Sequence, residues 1–156
     1  MQEKVVYLTS EGKQRFAAEL HQLITVRRHE VEDRIRRAKE FSDTVDNAEY
    51  DEAKTEQSFV EGRIQELERM LASAKVIEEP TDKADYVRMG THVKVLGPEG
   101  EEETYYLVGS QEADPRRGLI SNESPIGRAL LGKRVGDEVT VVAPAGAFNL
   151  KILDIT

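Results

Sequence analysis

Apolar residues in the first half of the chain recur every three or four positions over two long stretches. Phe16, Leu20, Leu23, Ile24, Val31, Ile35 and Ala38 place one apolar stripe on a helix running from about Glu11 to Phe41. Ser10 stands as its N-cap, with Lys13 where a capping box would have an acid. The second stretch is more regular. Ala53, Gln57, Val60, Ile64, Leu67, Leu71 and Ala74 alternate steps of four and three, a heptad seam with one polar position at Gln57. Between them lies Ser42-Asp43-Thr44-Val45-Asp46-Asn47, rich in turn formers. So short a connection makes the helices antiparallel neighbours. The pattern predicts a helical hairpin whose ~30-residue arms are roughly 45 Å long.

The second half has another rhythm. Short apolar runs predict strands at His92–Leu96, Thr104–Val108, Glu138–Val142 and Phe148–Leu153. Pro98-Glu99-Gly100 and Pro144-Ala145-Gly146 supply turns between them. SPIGRALLG, residues 124–132, predicts a short helix with Ser124 as N-cap, Pro125 as its first residue and Gly132 just past its end. All five prolines follow residue 77. The expected class is therefore α+β, with a coiled-coil hairpin over 1–77, a linker over 78–84 around Pro80, and a small β-rich domain over 85–156.

Composition narrows the chemistry. The chain has 156 residues, no Cys and no Trp, and a formal net charge of −8. The lack of Cys removes disulfides, thiolate metal sites and a Cys nucleophile. An acidic total disfavours broad binding to exposed duplex DNA, which rests on neutralising phosphates. No apolar run is long enough to span a bilayer, and the opening MQEKVVYLTSEGK lacks the apolar core of a signal peptide. A soluble, cytoplasmic protein that does not engage membranes is expected.

The total charge hides a local pattern. From Arg27 to Lys39 there are six bases (Arg27, Arg28, Arg34, Arg36, Arg37, Lys39) against three acids. From Glu40 to Glu56 there are seven acids and one base, Lys54. The hairpin would carry a basic belt on one arm and an acidic tip. A solvated coiled-coil surface accounts for either feature alone. A polyanion lying against the shaft while the tip meets a cation needs both. At the tip, Asp43 and Asp46 stand three apart, a spacing that turns both carboxylates to one face of a helical turn. Two such oxygen donors suit a hard divalent ion, but are too few to hold Mg²⁺ tightly unless another molecule completes the site. Capping and turn formation compete as their role, because Asp and Asn favour both.

Other candidates are bland. His21, His29 and His92 lack ligand spacing, and Ser124 lacks a nucleophile elbow and is accounted for as a cap. No Gly-rich phosphate loop is present. Tyr105-Tyr106 reads as strand packing.

Three strings are more specific. DNAEYDEAKTEQSFVEGRIQELERMLASAKVIE resembles the second hairpin helix of the Gre transcript-cleavage factors, in which (D/E)NAEY and EGRI recur. YLTSEGKQRFAAELHQL resembles the start of their first helix. SPIGRALLGKRVGDEVTVVAPAGAFNLKIL resembles their C-terminal signature, SPxGxALLGxxxGDxVxVxxPxG. The likeness runs through nearly the whole chain, and the acidic total with EGRI fits the GreA type. It implies a coiled-coil finger that enters the secondary channel of bacterial RNA polymerase and a C-terminal domain of FKBP-type fold that docks at the rim. It further implies that Asp43 and Asp46 are the catalytic acids and help hold a Mg²⁺ supplied by polymerase beside the nascent RNA 3′ end. The factor would then be no enzyme of its own, would have no cofactor of its own, and would act as a monomer on polymerase's own endonucleolytic activity. On the same basis Arg27, Arg28, Arg34, Arg36 and Arg37 face extruded RNA, and Ser124, Pro125 and Ile126 dock on polymerase.

The tip departs from the family pattern, G-D-L-x-E-N-A-E-Y. Asp43 matches, but Asp46 occupies the Glu position, one methylene shorter, and Thr44 replaces an apolar residue. A channel-binding inhibitor that does not stimulate cleavage is the alternative reading.

Overall fold

The computed structural model describes residues 5–41, 47–80 and 82–156. Asp43, Thr44 and Asp46 lie outside the described residues. The chain divides into two compact units, one formed from Met1–Gly12 with Ala74–Thr156 and the other from Lys13–Ser73.

The second of these is the hairpin. Helix α1 (Ser10–Gln22) leads through a π-helical turn, Leu23–Arg27, into α2 (Arg28–Phe41), and α3 (Ala48–Ser73) returns. The first helix expected as a single α-helix is thus interrupted: the Arg28 N–H donates to the carbonyl of Leu23, five residues back. The interruption has a reason in the seam. The apolar stripe steps from Ile24 to Val31 across the paired bases Arg27 and Arg28, so an ordinary α-turn would aim a guanidinium where a seam residue belongs. The wider turn seats both at the helix flank, half exposed. Val31, Val60 and Ile64 form the buried centre, with Leu20, Leu23, Ile24 and Ile35 packed against it. On α3 the buried residues are Ala53, Val60, Ile64, Leu67 and Met70. Met70, not the expected Leu71, takes the last buried position, and the helix stops at Ser73.

It stops because the chain becomes a strand. β1 (Val6–Leu8) and β2 (Ala74–Val76) pair in parallel, Val6 opposite Ala74 and Leu8 opposite Val76. Neither short strand was foreseen, and the segments 5–12 and 74–84 therefore belong with the sheet-bearing unit instead of with the hairpin and a linker. Side-chain and backbone bonds hold them there. The Ile77 N–H donates to the Leu8 carbonyl at 2.7 Å, the Tyr106 hydroxyl donates to Glu79, and Lys83 lies 3.4 Å from Asp154.

The main sheet contains β3 (His92–Leu96), β4 (Glu102–Val108), β5 (Leu119–Ser121), β6 (Glu138–Ala143) and β7 (Gly146–Ile155), in the order β5-β4-β3-β7-β6. Only β4 and β5 are parallel neighbours. Alternation puts Val93 and Val95, Val139 and Val141, and Leu150 and Ile152 on one face, where they are buried with Leu107, Ile120 and Ile155. Helix α4 (Pro125–Leu130) covers that face with Leu130, which has no exposed surface. Burying one such side chain contributes about 2 kcal/mol. The four expected strands are present, with somewhat different ends, whereas β5 was not expected.

Candidate functional site

Among the described residues, the Asn47 side chain links the two arms at the hairpin end. Asn47 is the N-cap of α3: its Oδ1 accepts the Tyr50 N–H at 3.1 Å, and its carbonyl accepts the Asp51 N–H at 3.0 Å. Its Nδ2 donates to the Ala38 carbonyl of α2 at 2.8 Å. Glu49 and Asp51 lie in the first turn of α3, where a negative charge is favoured by the exposed N–H groups. The two acids expected to do the chemistry, Asp43 and Asp46, lie between Phe41 and Asn47, outside the described residues. Among the described residues there is no group of three His, Asp or Glu side chains that could hold a metal ion. The role of Asn47 went unread in the sequence, although an Asn directly before a helical run is a capping signal.

The basic belt is largely engaged by acids. Arg28 makes a two-pronged pair with Glu61, 2.9 Å at each nitrogen, and Glu61 holds its guanidinium above its ordinary pKa. Arg34 reaches Glu56 at 2.5 Å and Glu52 at 3.3 Å. Arg27 pairs with Glu30 at 3.0 Å and also with Glu56. On the opposite arm Arg63 grips Glu19 at 2.7 and 3.0 Å. These cross-helix pairs are partly exposed, so solvent screening keeps the contribution of each small. Their effect is to set register between two smooth helices. Arg36 and Arg37 behave differently. Both are exposed. The Asp33 carboxylate binds Arg36 at 2.6 Å, and Arg37 donates to the Asp33 backbone carbonyl at 3.4 Å. The three-residue spacing suits this helix better than the four-residue one. Of the five arginines proposed to face RNA, these two are the most open to a phosphate.

In the sheet-bearing unit, Ser124 caps α4 as expected. Its hydroxyl accepts the Gly127 N–H at 3.1 Å and donates to the Ser121 carbonyl at 2.7 Å. Pro125 opens the helix, and Gly132 follows it with φ of 79°, a conformation that Gly adopts without strain. Ile126 is half-buried and packs against the core, so it is not a free apolar knob.

The expected histidines are dispersed. His29 lies 3.6 Å from Glu32 on one helix face. His92 stacks on Tyr106, ring centroids 4.2 Å apart and ring planes nearly parallel, across the β3–β4 pair. Burial, then a hydrogen bond to Glu103, pushes the Tyr105 hydroxyl up to about 12, and burial with Glu79 raises Tyr106 as well. In both, the neighbouring carboxylate disfavours the phenolate. Since the folded value exceeds the unfolded one, the stabilisation from Tyr105 is complete below pH ~10 and is lost as pH rises through about 12. Absorbance titration should therefore show late phenolate ionisation from both tyrosines, of which the part near pH 12 is lost in Tyr105→Phe. A Tyr105→Phe protein with an unchanged titration curve would contradict the assignment.

No described helix is long and apolar enough to cross a membrane. Residues 6–76 match the family model "Transcription elongation factor, N-terminal", and residues 81–156 match "Transcription elongation factor, GreA/GreB, C-term". The transcription elongation factor GreA of Acetivibrio thermocellus is 53% identical over 153 residues, 97% of this chain and 96% of that one. GreA of Thermoanaerobacter pseudethanolicus is 54% identical over 153 residues, 97% of this chain and 98% of its own. Among solved structures, GreA factor homolog 1 of Thermus thermophilus is 31% identical, with 98% of this chain and 99% of that one covered and a TM-score of 0.45. Both halves of the chain, joined in the same order as in full-length relatives, place it in the GreA/GreB family of transcription elongation factors, as a member of the GreA type.

Proposed function

We propose that this protein reactivates backtracked bacterial RNA polymerase by entering its secondary channel and stimulating the polymerase's own cleavage of the nascent RNA. The observation that carries this reading is the extent of the likeness: about half of all positions agree with GreA relatives from one end of the chain to the other, so hairpin and sheet-bearing unit are kept together. The protein is not a catalyst by itself in this reading. Asp43 and Asp46 would hold Mg²⁺ together with ligands from polymerase and RNA. Their chemistry fits: two carboxylates are the hard-oxygen, low-number donor set that Mg²⁺ accepts when waters and phosphates complete its shell. When bound, that ion supplies Lewis-acid polarisation and a more acidic water.

The chain's own parts divide the remaining work. In the hairpin, Arg28–Glu61 and Arg34–Glu56 tie the two arms together, which would hold them side by side as a narrow finger for a channel. Arg36 and Arg37 would meet phosphates of the extruded RNA, since Arg forks can bond two oxygens at once. Ser124, Pro125 and Ile126 would dock on polymerase, with the capped start of α4 giving a rigid contact. An FKBP-type fold for the sheet-bearing unit, action as a monomer in the cytoplasm, and contact with the RNA 3′ end belong to the same reading.

The test is a stalled, backtracked elongation complex of bacterial polymerase, to which the protein is added with Mg²⁺. Short RNA 3′ products are expected, at a rate that saturates with the factor. Occupancy of polymerase with no added cleavage would instead favour a channel-binding inhibitor, a reading supported by Asp46 and Thr44 at the tip. Failure to bind polymerase would overturn both.

A further inference from the structure

The shaft of the hairpin carries an aromatic residue that its own packing does not use. Phe59 lies in the middle of α3 and is 75% exposed, although Val60 beside it is buried in the seam. With Leu23 and Val60 it lines a groove of about 450 Å³ between the two arms. The facing arm is here the π-helical turn Leu23–Arg27, which contributes Leu23 to the groove. Single π-turns inside α-helices are frequent at functional sites. Gly62 follows Phe59 by three residues and so shares its face of α3. It is exposed, and an added Cβ would meet nothing within 4 Å. Gly in an exposed helix interior destabilises the helix relative to Ala. Among the described residues no neighbour requires it there, whereas a bare backbone suits a surface that comes close from outside.

The charges around the groove are already matched. Arg63 grips Glu19 at 2.7 and 3.0 Å, and Arg27 pairs with Glu56 and Glu30. A phosphate would have to displace these carboxylates, so the groove does not suit RNA. An exposed aromatic ring and an apolar floor inside a rim of matched polar groups have the make-up of a protein–protein contact centre. We infer that Phe59, Gly62 and the groove beside them form a docking surface for an uncharged, apolar segment of polymerase. The Phe59 ring enters an apolar recess of that segment, an apolar side chain of the segment fills the groove over Leu23 and Val60, and Gly62 lets its backbone lie close against α3. The inference rests on the proposed entry of the hairpin into the polymerase channel, which puts channel wall beside the shaft. It is separate from the docking proposed for Ser124, Pro125 and Ile126, and unlike the contact proposed for Arg36 and Arg37 it does not depend on charge.

The experiment compares Phe59→Ala and Gly62→Gln with the unaltered full chain. It reads displacement of labelled unaltered protein from core polymerase free of nucleic acid, at about 50 and 200 mM salt. It also reads the melting temperature of the free protein and the saturated cleavage rate on the backtracked complex. Phe59→Ala removes the ring, and Gly62→Gln covers the bare backbone with a side chain that favours helix. Binding is expected to weaken about tenfold or more in each variant, by the same factor at both salt concentrations. The melting temperature should not fall in Phe59→Ala and should rise in Gly62→Gln, a combination that a packing role for either residue does not allow. The saturated cleavage rate should be unchanged, since the tip acids are untouched. Unweakened binding in either variant, beside normal cleavage by the unaltered protein, overturns the inference and leaves the proposed function standing. A loss of binding that comes with a lowered melting temperature overturns it in favour of packing. A loss confined to low salt overturns it in favour of a charged partner such as the transcript. Dimers of the free protein that Phe59→Ala abolishes assign the groove to a second copy and overturn it as well. An unaltered protein that does not bind polymerase removes the proposed function and this inference together.

Discussion

Asp43→Asn is expected to occupy polymerase as well as the unaltered protein does while no longer stimulating cleavage, with the saturated rate falling by a factor of 100 or more, the order seen when one essential polar group is removed from a preorganised site. The amide preserves size and hydrogen-bonding capacity but removes the charge that a divalent ion needs. The same holds for Asp46→Asn. Such proteins should compete with the unaltered factor, because the sheet-bearing unit and the rod are untouched. The other role open to these residues, capping or turn formation, leads to the opposite result: Asn caps as well as Asp, so the amide variants would cleave normally. Asp46→Glu is the informative counterpart. It restores the longer side chain of the family pattern and should raise the rate if reach is limiting. Cleavage products from Asp43→Asn equal to those of the unaltered protein would exclude the acid from catalysis.

A second large effect is expected in the sheet-bearing unit at Gly127. A Cβ built on this residue would overlap the Ser121 carbonyl oxygen and crowd Asn122. That carbonyl is not free to retreat, since it accepts the Ser124 hydroxyl at 2.7 Å, and the same hydroxyl caps Gly127. Gly127→Ala must therefore lift α4 from the sheet and loosen Leu130 in the core. The expected cost is about 2 kcal/mol, near the middle of the range for overpacking. For a unit of this size that is a fall of roughly 10 °C in melting temperature. Gly62 supplies the control. It lies in the exposed interior of α3 with nothing within 4 Å of an added Cβ, so Gly62→Ala should stabilise the hairpin by about 0.5–1 kcal/mol. Equal melting temperatures for Gly127→Ala and the unaltered protein would show that α4 is not seated as described. Because Ser124, Pro125 and Ile126 begin that helix, weaker polymerase binding should accompany the loss of stability.

The helical hairpin and most of the main sheet could be read from the residues alone, because each is written in a local period. Phe16, Val31, Val60, Ile64 and Leu67 repeat at helical spacing. Val93 with Val95 and Val139 with Val141 repeat at strand spacing. The α4 helix was equally legible, since Ser124, Pro125 and Gly132 act on backbone groups within a few residues of themselves. What could not be read is whatever depends on partners far along the chain. β1 and β2 are three residues each, too short for a period, and exist because Val6 meets Ala74 some seventy residues later. That pairing is also why α3 ends at Ser73 and why segments 5–12 and 74–84 join the sheet-bearing unit.

For the candidate site the division is similar. The chain's own order of acids and bases marks Asp43, Asp46 and the belt as the places to look, and three strings tie them to the GreA type. Packing of α2 against α3 then sorts the belt. Arg27, Arg28 and Arg34 come within reach of Glu56 and Glu61 on the returning arm, whereas Arg36 and Arg37 stay exposed. The same packing turns Asn47 from one turn former among several into a bridge between arms. Helical spacing tells which residues share a face of one helix. It does not tell which carbonyl or carboxylate of another helix that face will meet, and those meetings decide which of the charged and polar groups remain available for a partner.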